Sequence, residues 1–258
     1  VSIAAAIILA ASLAGGAAHA QGVVPGKTPS GTLTYPAVDN LDFREGTIEC
    51  WIRIGYDPAP MLPPKEYQGF LTFLTAGGEG GGLSIGYAAQ PKQATPQWFC
   101  SVSPKPVVYG FGFTPAVMKP GEWHHIAFSW KGQDAWAYYD GKEVATVRQN
   151  AQIHEVFGAV REKPIFIGDK WGRHALMVID DFRVSRVARK PAELGFHGAL
   201  KPDAFTTILD TFDAEFTPDG KKTTRPAVIW NGDGGCPTAE CRFVDGKFGK
   251  ALAFYKEP

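Results

Sequence analysis

No charge of one sign predominates in this chain of 258 residues: 26 Lys and Arg stand against 26 Asp and Glu. Without a surplus of either sign there is no long-range field to gather nucleic acid or an anionic membrane, which leaves neutral polymers, small molecules or proteins as partners. Beyond the first twenty residues no stretch approaches the ~18 uninterrupted apolar residues of a spanning helix, so a mature chain has no membrane span. Helical periodicity is nearly missing as well. That excludes a doubly wound α/β fold, whose parallel strands need helical crossovers. Histidines number six and cysteines four. The one close cysteine pair, "CPTAEC" (236–241), has no second knuckle beside it, which argues against structural zinc.

The first twenty residues, "VSIAAAIILAASLAGGAAHA", carry no charge and close on Ala18-His19-Ala20, an A-x-A cleavage pattern. They read as a signal peptide, although an initiating Met and a basic n-region are missing. The rival reading, an uncleaved anchor, is disfavoured because Gly15-Gly16 breaks the run. The expected destination is secreted, periplasmic or cell-surface. In such an oxidising compartment Cys236 and Cys241 are placed to staple a local loop. Cys50 and Cys100 fall in separate strand-like runs and could bridge if those strands are neighbours.

What the chain does have is punctuation: 30 glycines and 20 prolines divide residues 31–184 into short strand-like runs. Candidates are 31–37, 46–54, 69–76, 82–89, 97–103, 107–113, 123–130, 135–140, 142–147, 164–169 and 176–185. Eleven such strands predict an all-β fold, an antiparallel sandwich or jelly roll. The clearest hairpin is "AWAYYDGKEVATV", where Asp140-Gly141 supplies the two positive-φ positions of a tight turn. A short helical turn is expected at "RKPAELGF" (189–196), with Pro191 near its start and Gly195 at its end. After residue 200 the texture changes, and Gly246-Lys247 followed by Tyr255 repeats the spacing of Gly26-Lys27 followed by Tyr35.

Four motifs in order, "REGTIECWIRI" (44–54), "PGEWHHIAFSW" (120–130) running into "YYDGKEVAT" (138–146), "PIFIGD" (164–169) and "IDDFRVSRVARKPAEL" (179–194), resemble the laminin-G-like, concanavalin A-like jelly-roll family in its bacterial branch. "FVDGKFGKALAF" (243–254) is similar to the segment that opens such a domain. The resemblance implies a signal peptide (1–20), one antiparallel two-sheet jelly roll over 22–198, and a linker with the start of a second copy over 199–258. It also implies an exported, non-catalytic module binding a glycan or a cell-surface or matrix protein, with calcium at the sandwich rim in some members. Fold alone does not fix function.

Three kinds of site come into question. In a strand the adjacent His124 and His125 point to opposite faces, so one metal cannot easily take both, and they read as scaffold. A glycoside hydrolase on this fold needs two carboxylates flanking the scissile bond. The family's Glu-x-Asp-x-(x)-Glu strand is missing: "VIDDFRV" (178–184) has alternating Asp180 and Asp181 with no Glu, and "REGTIEC" has no intervening Asp. Hydrolase therefore stays the alternative, along with a structural repeat unit of a larger adhesin. For calcium the expected ligands are Asp180 and Asp39, with Asp169 a further contributor. For sugar, the loop "GDKWGRHA" (168–175) offers Trp171 as a platform flanked by Asp169, Arg173 and His174. "GGEGGG" (77–82) lacks the Lys-Ser/Thr and helix of a phosphate loop and reads as a hairpin connection.

Overall fold

The computed structural model describes residues 32–35, 37, 39–55, 69–78, 81–89, 97–104, 109–113, 119–148, 152–156, 165–168, 177–213 and 242–254. The fold is the all-β, antiparallel two-sheet jelly-roll sandwich expected from the sequence. The strands are β1 (Thr32–Tyr35), β2 (Glu45–Ile54), β3 (Gly69–Gly78), β4 (Gly81–Ala89), β5 (Gln97–Pro104), β6 (Tyr109–Phe113) and β7 (Trp123–Lys131). They continue with β8 (Asp134–Tyr139), β9 (Lys142–Arg148), β10 (Ile165–Gly168), β11 (Met177–Ser185), β12 (Thr206–Asp210), β13 (Arg242–Asp245) and β14 (Lys250–Ala253). The first eleven are the eleven read from the alternation, each within two residues of its expected ends. Among the described residues a single helical turn, Ile153–Val156, interrupts them.

One sheet has six strands in the order β1-β10-β3-β4-β5-β6. The other has eight, β13-β14-β11-β2-β7-β8-β9, with β12 also paired to β11. Every pairing is antiparallel. Leu33, Tyr35, Ile165 and Ile167 of the smaller sheet share one core with Ile48, Ile52, Ile126, Phe128, Trp130 and Phe182 of the larger. The Asp140-Gly141 turn has φ of 48° and 74°, the two left-handed positions the sequence demanded. The expected helical turn is a 3-10 turn, Pro191–Glu193, whose Glu193 side chain accepts the Lys190 N–H at 2.8 Å.

β11 organises the larger sheet. All nine of its residues are buried, because it is paired along both edges and covered on both faces. A bulge between Asp180 and Arg183, with Asp181 at φ 47°, shifts its register against β2. The extra residue cancels the alternation expected of Asp180 and Asp181: both carboxylates turn to segments covering the outer face, Asp180 to residues 247–248 and Asp181 to Leu200.

Two sequence expectations are changed by this topology. Residues beyond 198, read as a linker and the opening of a second unit, add β12, β13 and β14 to the same sheet through β11. Ala251, Leu252, Ala253 and Phe254 are fully buried in its core. The expected Cys50–Cys100 bridge is not formed. Cys50 is a free thiol in β2, turned into the core, whereas Cys100 lies in β5 of the other sheet beside Ile85 and Phe111. Burial, with Glu49 next to it, pushes the Cys50 thiol well above its usual range. Cys236 and Cys241 lie outside the described residues.

Candidate binding site

The two histidines are scaffold, one on each face of β7. His124 Nδ1 is 2.9 Å from Asp140 Oδ2, and its ring stacks on Tyr139. The other Asp140 oxygen accepts the His125 N–H at 2.9 Å, so the hairpin turn is clamped to the start of β7. Burial alone would raise the Asp140 carboxyl, but the His124 hydrogen bond and the His125 amide outweigh it and hold it below its usual range.

His125, 0% exposed, reaches the outer face of the larger sheet and meets Glu49 at 3.1 Å from Nε2. Glu49 is the hub of a buried network. Its Oε1 accepts from Arg183 Nε at 2.8 Å and Nη2 at 2.5 Å, and its Oε2 accepts the Gly195 N–H at 2.9 Å. Arg189 lies 3.9 Å from Glu49, donates to Ser185 at 3.0–3.1 Å and pairs with Asp203 at 2.7 Å. Arg183 also donates to the Lys201 carbonyl at 2.8 Å. Burial would push the Glu49 carboxyl up; the His125 hydrogen bond and the Arg183 charge overcome it and hold the pKa below the usual range. The network straps residues 186–203 across the sheet's outer face. Glu49, His125, Arg183 and Arg189 are all buried in it, and only Asp203 at its edge reaches the surface.

The rim at the end of that strap is open. Ala37, Asp39, Leu41, Asp42, Phe43, Arg44 and Arg186 line a depression of about 350 Å³, within the ~300–1,000 Å³ range of small-molecule sites. Its backbone is held from several sides: Leu41 N–H to the Ala37 carbonyl at 2.9 Å, Trp130 Nε1 to the Asp42 carbonyl at 2.9 Å, and Gly132 N–H to the Arg44 carbonyl at 2.9 Å. Thr207 Oγ1 donates to the Asn40 carbonyl at 2.7 Å, joining β12 to the same loop. Asp42 fixes the Arg44 guanidinium through Oδ1 at 3.1 Å and Oδ2 at 3.2 Å. Asp39 has φ 63°, a left-handed position few residues other than glycine adopt, and such strained positions cluster at binding sites. The Arg186 amide donates to the Phe205 carbonyl at 2.9 Å, which seats Phe205 beside the rim. At 52% exposure it is the one exposed large apolar side chain among the described residues.

Of this rim only Asp39 was singled out from the sequence, and as a calcium ligand rather than as part of a binding depression. Its signal was weak, a loop "AVDNLDFR" with no aromatic at its tip and an aromatic, Phe205, far along the chain. The expected sugar loop, with Asp169, Trp171, Arg173 and His174, lies outside the described residues. The expected calcium pair does not come together. Asp39 adjoins Arg186, past the end of β11 where Ser185 faces Thr47, whereas Asp180 faces Trp51, roughly 14 Å further along β2. Asp180 Oδ1 is buried and without a partner, but Oδ2 is taken by the Lys247 and Phe248 amides at 2.7 and 2.8 Å. Among the described residues no three His, Cys, Asp or Glu side chains converge as a metal site. Asp39 and Asp180 therefore form no joint site, and Asp169, the further expected contributor, lies outside the described residues. Burial pushes Asp180 up to about 6 against its amide partners, and Asp181 up to about 7 against the Leu200 amide, with Asp180 and Asp213 adding to the rise.

Residues 26–195 match the profile of a family described as the concanavalin A-like lectin/glucanases superfamily. A search of the curated proteins found no match. Similar solved structures include a provisionally assigned carbohydrate binding protein from Bacteroides ovatus, 16% identical, covering 90% of this chain and 61% of that one, with a TM-score of 0.49. This chain thus spans about three fifths of that protein. The CBM40 of Ruminococcus gnavus IT-sialidase, solved bound to α2,3 sialyllactose, is 12% identical over 65% of this chain and 92% of that one, TM-score 0.43. Mouse laminin alpha1 domains LG4-5 are 14% identical over 74% and 46%, TM-score 0.42.

Proposed function

The chain belongs to the concanavalin A-like lectin/glucanases superfamily, and from that membership we propose that it is an exported, non-catalytic recognition module that binds carbohydrate at the rim depression. The observation that carries this reading is the lining itself. Asp39, Asp42, Arg44 and Arg186 line the depression together with the apolar Leu41 and Phe43. Sugar hydroxyls both donate and accept, so a lining that carries acceptors and donors together suits them, and its apolar side chains suit a C–H face. The lining sums to zero formal charge, which favours a neutral sugar over an acidic one. Pre-organisation by backbone hydrogen bonds lowers the ordering cost of binding. Asp180 and Asp181 are buried under covering segments, out of reach of a glycosidic bond, so the acid–nucleophile pair of a hydrolase has no support from them.

A glycan array run with and without calcium tests the reading. Neutral glycans are expected to bind in both conditions, and Arg44→Ala or Arg186→Ala should lose at least tenfold in affinity. Binding to no glycan in either condition would overturn it in favour of protein adhesion. Release of reducing ends from a bound glycan would restore the hydrolase alternative.

A further inference from the structure

Phe205 is 52% exposed, and among the described residues no other large apolar side chain is so placed. Its position is fixed. It closes an exposed stretch, residues 201–205, on a turn that Asp203 holds from both ends. Asp203 Oδ1 accepts the Phe205 N–H at 3.0 Å and the Thr206 hydroxyl at 2.9 Å. The Asp203 N–H donates to Thr206 Oγ1 at 3.0 Å, and the Thr206 N–H donates to the Asp203 carbonyl at 3.1 Å. Asp203 Oδ2 is anchored in turn by the buried Arg189 at 2.7 Å. The buried network behind the strap therefore reaches the surface as a turn that presents an apolar ring to water at a set place, which is the pre-organisation a binding platform needs.

That place adjoins the rim depression. Ser185 pairs with Thr206 at the ends of β11 and β12; Arg186 follows the one, Phe205 precedes the other, and the Arg186 N–H donates to the Phe205 carbonyl at 2.9 Å. Backbones paired in this way stand ~4.5–5.5 Å apart, so Phe205 is one short step from a depression that Arg186 lines. Arg186 Nη2 donates to the Asp39 carbonyl at 3.4 Å, and two residues past Phe205 the Thr207 hydroxyl donates to the Asn40 carbonyl at 2.7 Å. Depression and turn are thus fastened together. One isolated ring is too little for a protein partner, whose interface needs a contiguous core of apolar and aromatic side chains. It does match the C–H face of one sugar unit. We propose that Phe205 is a platform for a second sugar unit beside the one in the depression, so that the site selects oligosaccharides over monosaccharides. This inference rests on the carbohydrate reading of the depression.

The full chain and its Phe205→Ala, Phe205→Leu, Phe205→Tyr and Arg44→Ala variants are titrated with glucose, mannose, galactose, xylose, arabinose and N-acetylglucosamine, and with the linear oligomers of each. In the series that binds, the unaltered chain is expected to hold the trisaccharide about tenfold more tightly than the monosaccharide. Phe205→Ala should lose that gain and keep the monosaccharide affinity. Phe205→Leu, apolar but without a ring face, should lose it as well, and Phe205→Tyr should restore it. Arg44→Ala should weaken monosaccharide and trisaccharide alike. If Phe205→Ala leaves the trisaccharide affinity unchanged, or lowers both affinities equally, the platform is refuted while the reading of the depression stands. If the unaltered chain binds none of these sugars, both fall together.

Discussion

Two segments cover the outer face of the larger sheet, and they are held by opposite chemistry. The strap 186–203 is fastened by full charges of both signs: Glu49 receives Arg183, His125 and the Gly195 amide, and Arg189 ties in Asp203. The hairpin 242–254 is fastened at its turn by one carboxylate, Asp180, taking two neutral amides, with acidic Asp181 and Asp213 beside it. Burial acts on both carboxylates in the same direction. The His125 hydrogen bond and the Arg183 charge reverse it at Glu49, and amides alone do not at Asp180, so one pKa falls and the other rises. Hydrogen bonding without a counter-charge therefore seats a buried carboxylate without making it a comfortable anion.

The sharpest way to break the comparison is Glu49→Ala, which leaves Arg183 buried without its counter-charge. A loss of about 3–5 kcal/mol in urea unfolding is expected, as for other broken buried pairs, with early proteolysis inside 186–203.

The pH dependences should part company next. Glu49, depressed in the folded chain, stabilises above its unfolded pKa near the ordinary carboxyl value of 4.5, and that stabilisation is lost as pH falls through the lower folded value. Asp180 and Asp181, raised to about 6 and about 7, bind protons more tightly when folded. Their contribution is full below about 3.8 and is lost as pH rises through 6 to 7. Thermal unfolding should show stability falling between pH 5 and pH 8 by on the order of 2 kcal/mol, with a smaller fall in Asp181→Asn, which keeps an acceptor for the Leu200 amide.

Asp180→Ala should act locally, stranding the Lys247 and Phe248 amides at a cost of about 1–2 kcal/mol. Hydrogen exchange at 247–254 should quicken at least tenfold while the strap's amides stay protected. At the rim, Arg44→Ala should leave the unfolding midpoint unchanged within error, as loss of an exposed pair does. Its effect belongs to glycan affinity alone, measured by titration calorimetry.

Much of the larger fold was legible because strands announce themselves locally. Alternation in "GTIECWIRI" and "WHHIAFSW" and the Asp140-Gly141 turn gave β2, β7, β8 and β9 nearly to the residue. The His124–His125 pair was also readable as scaffold, since period-two geometry separates adjacent rings. The bulge at Asp181 was not, because it depends on a register set by β2 and β12 on opposite edges of β11. Nor was the rim: Asp39, Arg44, Arg186 and Phe205 come from three separate stretches, and nothing local to any of them marks the others.

By itself the sequence determined the first eleven strands, the jelly-roll class and the absence of a charged field, since each follows from short-range pattern or from composition. Only the tertiary structure decided where residues 242–254 go, that Cys50 stays unpaired, and that Glu49 is the hub of the covered face. Those outcomes depend on which strands become neighbours and on the burial that follows, and burial is what converts an ordinary carboxylate into a fastening, a proton site or a strain.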